Sequence, residues 1–259
     1  MNSTTDKFYN ARITRRVDFA PDLWSIRILP GGEFKYSPGQ YATLGINGES
    51  KRSERPYSIV SSPHESEIEF FFELVPHGEL TPLLHKLQPG DELLMRKSSK
   101  GRFTLNTESG RHNHLMVSTV TGVAPFVSYV RSLSRAWKEG AFAGDHKLFL
   151  LNGASRSWEF GYQGELEKVA AEVPWLQYIP TVSRPWEDQS WSGEKGRVDD
   201  LVRKYADLWG LNPATTFVYL CGQPGMVENT KGILKRIGFD NTCMKEEVYW
   251  VPVRGAAQG

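Results

Sequence analysis

Leu115-Met116-Val117-Ser118-Thr119-Val120-Thr121-Gly122-Val123-Ala124-Pro125-Phe126 is where the chain changes architecture. Leu115 to Thr119 is a short apolar run of strand length. Val120 to Pro125 reads as a turn. From Phe126 to Trp137, the apolar residues Phe126, Val130, Leu133 and Trp137 recur at helical spacing. Strand, glycine turn and helix in that order form a βα unit whose helix start suits a diphosphate. A strict glycine-rich fingerprint is absent, so the order of elements carries the reading.

Downstream the alternation continues. Lys147 to Gly153, Leu176 to Arg184 and Thr216 to Gly222 are apolar strand candidates. Helical patterns run from about Tyr162 to Glu172 and from Gln223-Pro224-Gly225-Met226 to about Ile237. Strands alternating with helices predict a mostly parallel sheet with ligands at the strands' carboxyl ends. Upstream the period is two instead. Ala11–Val17, Leu23–Leu29, Tyr41–Ile46, Tyr57–Val60, Ile68–Val75 and Glu92–Arg96 are separated by turns such as Pro30-Gly31-Gly32 and Gln88-Pro89-Gly90-Asp91. Six short strands with little helix between them predict a small antiparallel barrel. Leu80 to Leu87 is the one helical interruption, with Thr81 at the expected N-cap and Pro82 at the first helical position. The expected organisation is two domains. Residues 1–109 form an antiparallel β-barrel, and residues 110–259 form an α/β parallel-sheet, Rossmann-like nucleotide-binding domain with a C-terminal tail.

Composition narrows the function. Hydrophobic residues are 39% and charged residues 24%, which predicts a real core rather than disorder. A net charge of +1 gives no support to nucleic-acid binding. Cys221 and Cys243 are too far apart for a metal-pair spacing, so an iron–sulfur cluster ligated by this chain is not expected, nor is any other metal centre. No run of about twenty apolar residues occurs and Met1 to Asn10 lacks an apolar signal core, so a soluble cytoplasmic protein without a membrane span is expected.

The richest local chemistry lies in Lys51-Arg52-Ser53-Glu54-Arg55-Pro56-Tyr57-Ser58-Ile59-Val60-Ser61-Ser62-Pro63. Arg55, Tyr57 and Ser58 place a fixed cation, a flat ring and a hydroxyl within four residues. A nucleotide carrying a conjugated ring fits them, and flavin fits best. Read alone, the same residues also describe a β-strand with an ordinary surface arginine and a half-buried tyrosine. Ser99-Lys100-Gly101-Arg102-Phe103-Thr104 is a second anion candidate, or a polar hairpin loop. Arg156, Arg184 and Arg197 each follow a strand end. Three guanidinium groups there suit an extra phosphate such as the 2′-phosphate of NADP, unless they are scattered surface arginines.

Five segments in order resemble the ferredoxin–NADP reductase superfamily, in particular its bacterial ferredoxin (flavodoxin)–NADP reductases. They are Arg55-Pro56-Tyr57-Ser58, Val75-Pro76-His77-Gly78-Glu79-Leu80-Thr81, Thr119 to Phe126, Thr181-Val182-Ser183-Arg184, and Cys221-Gly222-Gln223-Pro224-Gly225-Met226. The resemblance covers nearly the whole chain. It implies an FAD-dependent enzyme that moves electrons between NADP(H) and a one-electron carrier, ferredoxin or flavodoxin, by hydride transfer at flavin N5. Arg55 would hold the FAD pyrophosphate, beside Pro56. Tyr57 would stack on the isoalloxazine and Ser58 approach N5. Glu79, Leu80 and Thr81 would contact the flavin nucleotide with Phe71 beside it, and Thr121 would sit between flavin and dinucleotide. Ser183 and Arg184 would grip the 2′-phosphate, with Arg197 and Arg156 as further ligands. Cys221 would lie near the nicotinamide, Glu247 would orient it or exchange a proton, Tyr249 would lie near the flavin, and Trp250 would stack on the adenine. Ser58, Cys221 and Glu247 are thus the expected catalytic residues. The basic residues Lys51, Arg52, Lys97 and Lys100 either steer an acidic ferredoxin or flavodoxin or form an ordinary solvated surface, and the protein is expected to be a monomer.

Alternative roles are the reductase component of an oxygenase, a reductase of free flavin, and a non-catalytic flavoprotein subunit. The chain also departs from the resemblance. Val120 stands where a glycine is usual in the turn, Ser155 stands where many members have an arginine, and nine residues follow Trp250.

Overall fold

The computed structural model describes residues 7–48 and 51–249. The first half is a six-stranded antiparallel sheet built from β1 (Phe8–Ala20), β2 (Leu23–Leu29), β3 (Tyr41–Asn47), β4 (Arg52–Ser58), β5 (Ile68–Glu73) and β6 (Glu92–Arg96). Its order is β4-β3-β6-β1-β2-β5. The outer strands are brought together by a bridge between Ile59 and Phe70 and by the Val60 N–H donating to the Glu69 carbonyl at 2.9 Å. That closes the barrel around Ile13, Trp24, Ile26, Leu44, Ile59, Phe70 and Phe72. β4 starts five residues earlier than the apolar pattern suggests, and Ile59 and Val60 lie beyond its end. Its first residues are charged because it is an edge strand, where charge guards an unpaired backbone.

The short helix α1 spans only Thr81–Leu84, and Leu80, not Thr81, is its cap residue, with no capping side-chain bond. Leu80 is drawn into the barrel core, and the Thr81 hydroxyl turns back instead, accepting from the Val75 N–H at 3.0 Å.

The second half is a parallel sheet of β7 (Asn113–Thr119), β8 (Lys147–Ala154), β9 (Leu176–Val182), β10 (Glu194–Lys195), β11 (Thr216–Gly222) and β12 (Met244–Val248). The order is β10-β9-β8-β7-β11-β12. It is covered by α2 (Ala124–Lys138), α3 (Gln163–Glu172), α4 (Val198–Leu208) and α5 (Pro224–Arg236). α2 begins two residues before Phe126 because Pro125 is tolerated in a first helical turn. α4, β10 and β12 are additions to the sequence reading. Val198, Val202, Tyr205 and Ala206 give α4 a buried face, whereas β10 is too short and β12 too charged to show a pattern.

The largest core crosses between the halves. Leu23, Val60, Phe71 and Phe103 from the first half pack with Val123, Phe126, Tyr129, Leu150 and Tyr219 from the second. Each such side chain contributes about 1.5–3 kcal/mol by leaving water, so the two sheets are welded rather than merely tethered. The seam sets the end of β4 against the carboxyl edge of the parallel sheet. No described helix is long and apolar enough to cross a membrane.

Candidate active site

The site begins where β4 ends. Tyr57 pairs across to Ala42 and Ser58 to Tyr41 on β3. The Tyr57 ring is half-buried and meets Phe72 edge-on, with centroids 4.8 Å apart. Burial pushes its phenol well above the usual tyrosine range, with Arg55 opposing, so it serves as a neutral ring. Arg55 is 52% exposed and donates to the Glu54 carbonyl at 2.7 Å and to Glu79 Oε2 at 3.1 Å. Glu79 also accepts from Lys51 at 2.6 Å, and that bond holds its carboxyl below the usual carboxylate range. A cation whose carboxylate partner is exposed can exchange that partner for an anionic ligand.

Two residues sit differently from expectation. The Thr81 hydroxyl holds the Val75–Gly78 turn, also donating to the Val75 carbonyl at 3.3 Å, so its one proton is taken up by the backbone. Phe71 points across the seam, edge-on to Phe19 and Tyr162 and against Gly161. Its neighbour Phe72 is the ring that supports Tyr57, since side chains alternate along β5.

Ser58, Thr121, Cys221, Glu247 and Tyr249 converge across the seam. Ser58 Oγ donates to Glu247 Oε2 at 3.4 Å. Tyr249 Oη donates to the Thr121 carbonyl at 3.2 Å and lies 3.5 Å from Ser58 Oγ. Cys221 is in register with Glu247 across β11 and β12, and the Tyr249 N–H returns to the Gly222 carbonyl at 3.0 Å. Two glycines make the approach possible. A Cβ on Gly122 would lie 2.2 Å from the Cys221 carbonyl oxygen, and one on Gly222, whose φ is +134°, would lie 2.3 Å from Thr119 Oγ1. Val120, in the same turn, has φ +42°. A β-branched residue is strained there, where a glycine would not be. Burial pushes the Glu247 carboxyl up to about 7, against the Ser58 hydrogen bond, so it holds or releases a proton near neutrality. Burial pushes the Cys221 thiol up, with Glu247 adding to it. Cys221 is therefore a neutral wall of the site, not a nucleophile.

The arginines lie at the carboxyl ends of β8, β9 and β10. Arg156 donates to Glu159 at 3.0 Å and to Glu187, and its guanidinium lies 5.8 Å from the centre of the Trp158 ring. Arg184, half exposed, pairs with the same Glu187 at 3.7 Å. Arg197 pairs with Asp199 at 3.3 Å. Ser183 Oγ donates to the Ala154 carbonyl at 3.3 Å, and Ser155 offers its N–H to Glu159. Glu187, which joins Arg156 to Arg184, and the neighbouring Trp186, 70% exposed, escaped the sequence reading. The turn Arg184-Pro185-Trp186-Glu187 was their only signal. Trp250 lies outside the described residues.

The donor set fits a flavin dinucleotide. It offers an exchangeable cation at Arg55, a supported ring at Tyr57 and a hydroxyl–carboxyl pair at Ser58 and Glu247, and a second cation cluster stands at the carboxyl ends of β8, β9 and β10. Barrel, parallel sheet and shared seam together define a two-domain flavin and pyridine-nucleotide oxidoreductase. Residues 23–105 match the family model for the oxidoreductase FAD-binding domain, and residues 116–232 match that for the oxidoreductase NAD-binding domain.

The chain is 29% identical over 239 residues to the ferredoxin–NADP reductase of Pseudomonas aeruginosa, covering 89% of this chain and 90% of that protein. It is 30% identical over 227 residues to ferredoxin–NADP reductase A of Sorangium cellulosum, covering 84% and 79%. The fold matches the crystal structure of a ferredoxin NADP+ reductase from Neisseria gonorrhoeae with bound FAD and NADP. The TM-score is 0.81 at 24% identity, covering 94% of this chain and 99% of that one. The chain belongs to the ferredoxin–NADP reductase superfamily.

Proposed function

We propose that this protein is an FAD-dependent oxidoreductase that moves electrons between NADP(H) and a one-electron carrier protein, a ferredoxin or flavodoxin. The observation that carries the reading is the meeting of Ser58, Glu247 and Tyr249 where β4 abuts the carboxyl edge of the parallel sheet. Residues 1–109 form the flavin domain and 110–259 the nucleotide domain in this reading. The flavin, when bound, supplies a centre that takes up a hydride and gives out electrons singly.

The chain's own residues bind, orient and hold protons. Arg55 binds the pyrophosphate by exchanging Glu79 for it, and Tyr57 presents a neutral ring. Ser58 positions the reacting edge through its hydroxyl. Glu247 accepts from Ser58 Oγ at Oε2, and its carboxyl, pushed up to about 7 by burial, takes up or releases a proton near neutral pH. Tyr249 covers the gap between Ser58 and Thr121. Its two contacts, at 3.2 and 3.5 Å, are weak. Moving it aside costs about 1 kcal/mol for each hydrogen bond lost, besides the packing of its ring against the seam core, so it is a gate that ligand binding has to open. Ser183, Arg184, Arg156 and Arg197 bind the 2′-phosphate of NADP, and Trp186 offers an exposed ring beside them. Glu79 and Leu80 support the flavin side through the backbone, and Phe72 backs the Tyr57 ring.

Anaerobic addition of NADPH or NADH to the purified protein tests the reading. Bleaching of a yellow protein by NADPH, followed by reduction of a ferredoxin or flavodoxin, is expected. Bleaching with reduction of free flavin alone, or of an oxygenase alone, would move the assignment to those acceptors. No bleaching by either donor would leave a non-catalytic flavoprotein.

A further inference from the structure

Three of the chain's six histidines meet at the amino-terminal edge of the parallel sheet, the edge opposite the candidate active site. His112 and His114 flank the first residue of β7, and Asp145-His146 immediately precede β8, its parallel neighbour. The ligand atoms of His112, Asp145 and His146 all lie within 4.8 Å of one another. His112 and Asp145 are exposed, and His146 is partly buried.

His114 stands behind this group. It is fully buried, and its Nε2 lies 2.9 Å from His146 Nδ1. A hydrogen bond between two imidazole nitrogens needs one donor and one acceptor. With the proton on His146 Nδ1, His146 Nε2 carries a free lone pair and is the nitrogen left to reach His112 and Asp145. The proton of His114 then sits on Nδ1, which has no hydrogen-bond partner among the described residues. A metal-bound histidine ordinarily donates its other ring N–H to an acceptor behind it, most often a carboxylate or carbonyl, and here the unprotonated His114 Nε2 fills that place.

The segment carrying Asp145 and His146 is also fixed in place. Phe142 packs edge-on between Trp137 and Trp175. Gly144, at φ +74°, turns the chain so closely over Trp137 that a Cβ would meet its ring at 2.9 Å. The segment bearing Asp145 and His146 is thus held by the core, as a preorganised site requires.

We infer that His112, Asp145 and His146 form a binding site for a divalent transition-metal ion, with His114 as the positioning residue for His146. Two imidazoles and one carboxylate select the zinc, nickel and copper class over magnesium or calcium, which prefer all-oxygen sets. Three protein ligands leave a fourth position for water. Bonds of about 2.0–2.1 Å in a tetrahedron place donors roughly 3.3 Å apart. The two exposed side chains therefore close in by about 1.5 Å or less on binding. β7 separates this site from the seam by roughly 20 Å, so the ion clamps the segment before β8 and leaves electron transfer untouched.

The test is a Zn2+ titration of the FAD-loaded protein after chelator treatment, read by calorimetry and by thermal unfolding. One equivalent per chain and a Zn2+-dependent rise in Tm are expected, with no comparable response to Mg2+. His112→Ala and Asp145→Asn, both at exposed positions, should each weaken binding about 10–100-fold, and His114→Gln should weaken it by about 10-fold. NADPH bleaching should be unchanged in the His112 and Asp145 variants, which also reports that they fold. Zn2+ binding that survives the double His112→Ala, Asp145→Asn variant would place the ion elsewhere and overturn the inference. So would an absence of binding to the parent protein, or an equal response to Mg2+.

Discussion

Two arginine–carboxylate clusters use the same chemistry to opposite ends. In the seam, Glu69 of β5 accepts from Arg27 and from Arg131 of α2, each at 2.7 Å, and from the Tyr162 hydroxyl. The Glu69 and Arg131 side chains are 6% and 16% exposed. At the strand ends, Glu187 is shared by Arg156 and by a half-exposed Arg184. Burial decides what each cluster can do. Removing one partner of the seam cluster strands a charge in the interior, whereas the outer pairs are worth at most about 1 kcal/mol and yield to a phosphate. The first joins the two halves, and the second is the one that the proposed function assigns to a phosphate.

The largest effect that would break this comparison is in the seam. Arg131→Met should destabilise the fold by about 3–5 kcal/mol in denaturant unfolding, because Glu69 is left buried with less of its partner charge. Glu187→Gln should cost less than about 1 kcal/mol. Equal costs would erase the distinction between the clusters.

The next effect is on donor choice. Arg184→Ala removes a charge-assisted contact worth about 1.5–3 kcal/mol, so kcat/KM for NADPH should fall roughly 10–100-fold while that for NADH barely changes. Parallel losses with both donors would remove Arg184 from the 2′-phosphate. Glu187→Gln should act in the opposite direction. With Arg156 and Arg184 released, KM for NADPH should drop a few-fold, the equivalent of about 0.5–1 kcal/mol. An unchanged KM would mean that Glu187 does not compete with the ligand.

Titration separates two carboxylates in the same way. Burial opposes the charge of Glu69, but Arg131, Arg27 and the Tyr162 hydroxyl outweigh it and hold its carboxyl below the ordinary range. Its contribution to stability is complete above the unfolded carboxylate value and is lost as pH falls through the folded one. Glu247 runs the other way. Its folded value of about 7 exceeds the ordinary 4.5, so its contribution is complete below 4.5 and disappears as pH rises to about 7. Stability measured from pH 4.5 to 7 should decline less in Glu247→Gln than in the parent. Superimposable slopes would show that Glu247 keeps an ordinary pKa in the folded protein.

The smallest expected effect is at the turn after β7. Val120→Gly should relieve about 1 kcal/mol of backbone strain, partly offset by lost side-chain contact, and give a protein of equal or slightly higher Tm. A large fall in Tm would mean that Val120 packing outweighs its φ of +42°.

The architecture was readable because its two periods differ. Alternation by two from Ala11 to Arg96 and helical spacing after Gly122 put the change of fold between β6 and β7. Val120 was also legible, since a valine in a glycine's place flags the turn before its angles are known. What stayed hidden was long-range. Glu69 meets Arg131 across 62 residues and Tyr162 across 93, and no local pattern encodes such a pairing. Glu187 was missed because its role exists only once the ends of β8 and β9 lie side by side. Thr81 was misread because its hydroxyl satisfies the Val75 backbone rather than the helix start. The resemblance set Phe71 beside the flavin without regard to its face of β5, and alternation gives the position behind Tyr57 to Phe72.

The central claim, that the end of β4 and the carboxyl edge of the parallel sheet form one site for flavin and NADP(H), meets its most direct test in anaerobic stopped-flow spectroscopy of the FAD-loaded protein. The expected result is loss of the flavin absorbance on mixing with NADPH, at a saturating rate far above that with NADH, and recovery when an oxidised ferredoxin or flavodoxin is added. A flavin that keeps its colour with NADPH at concentrations that saturate binding would contradict the account.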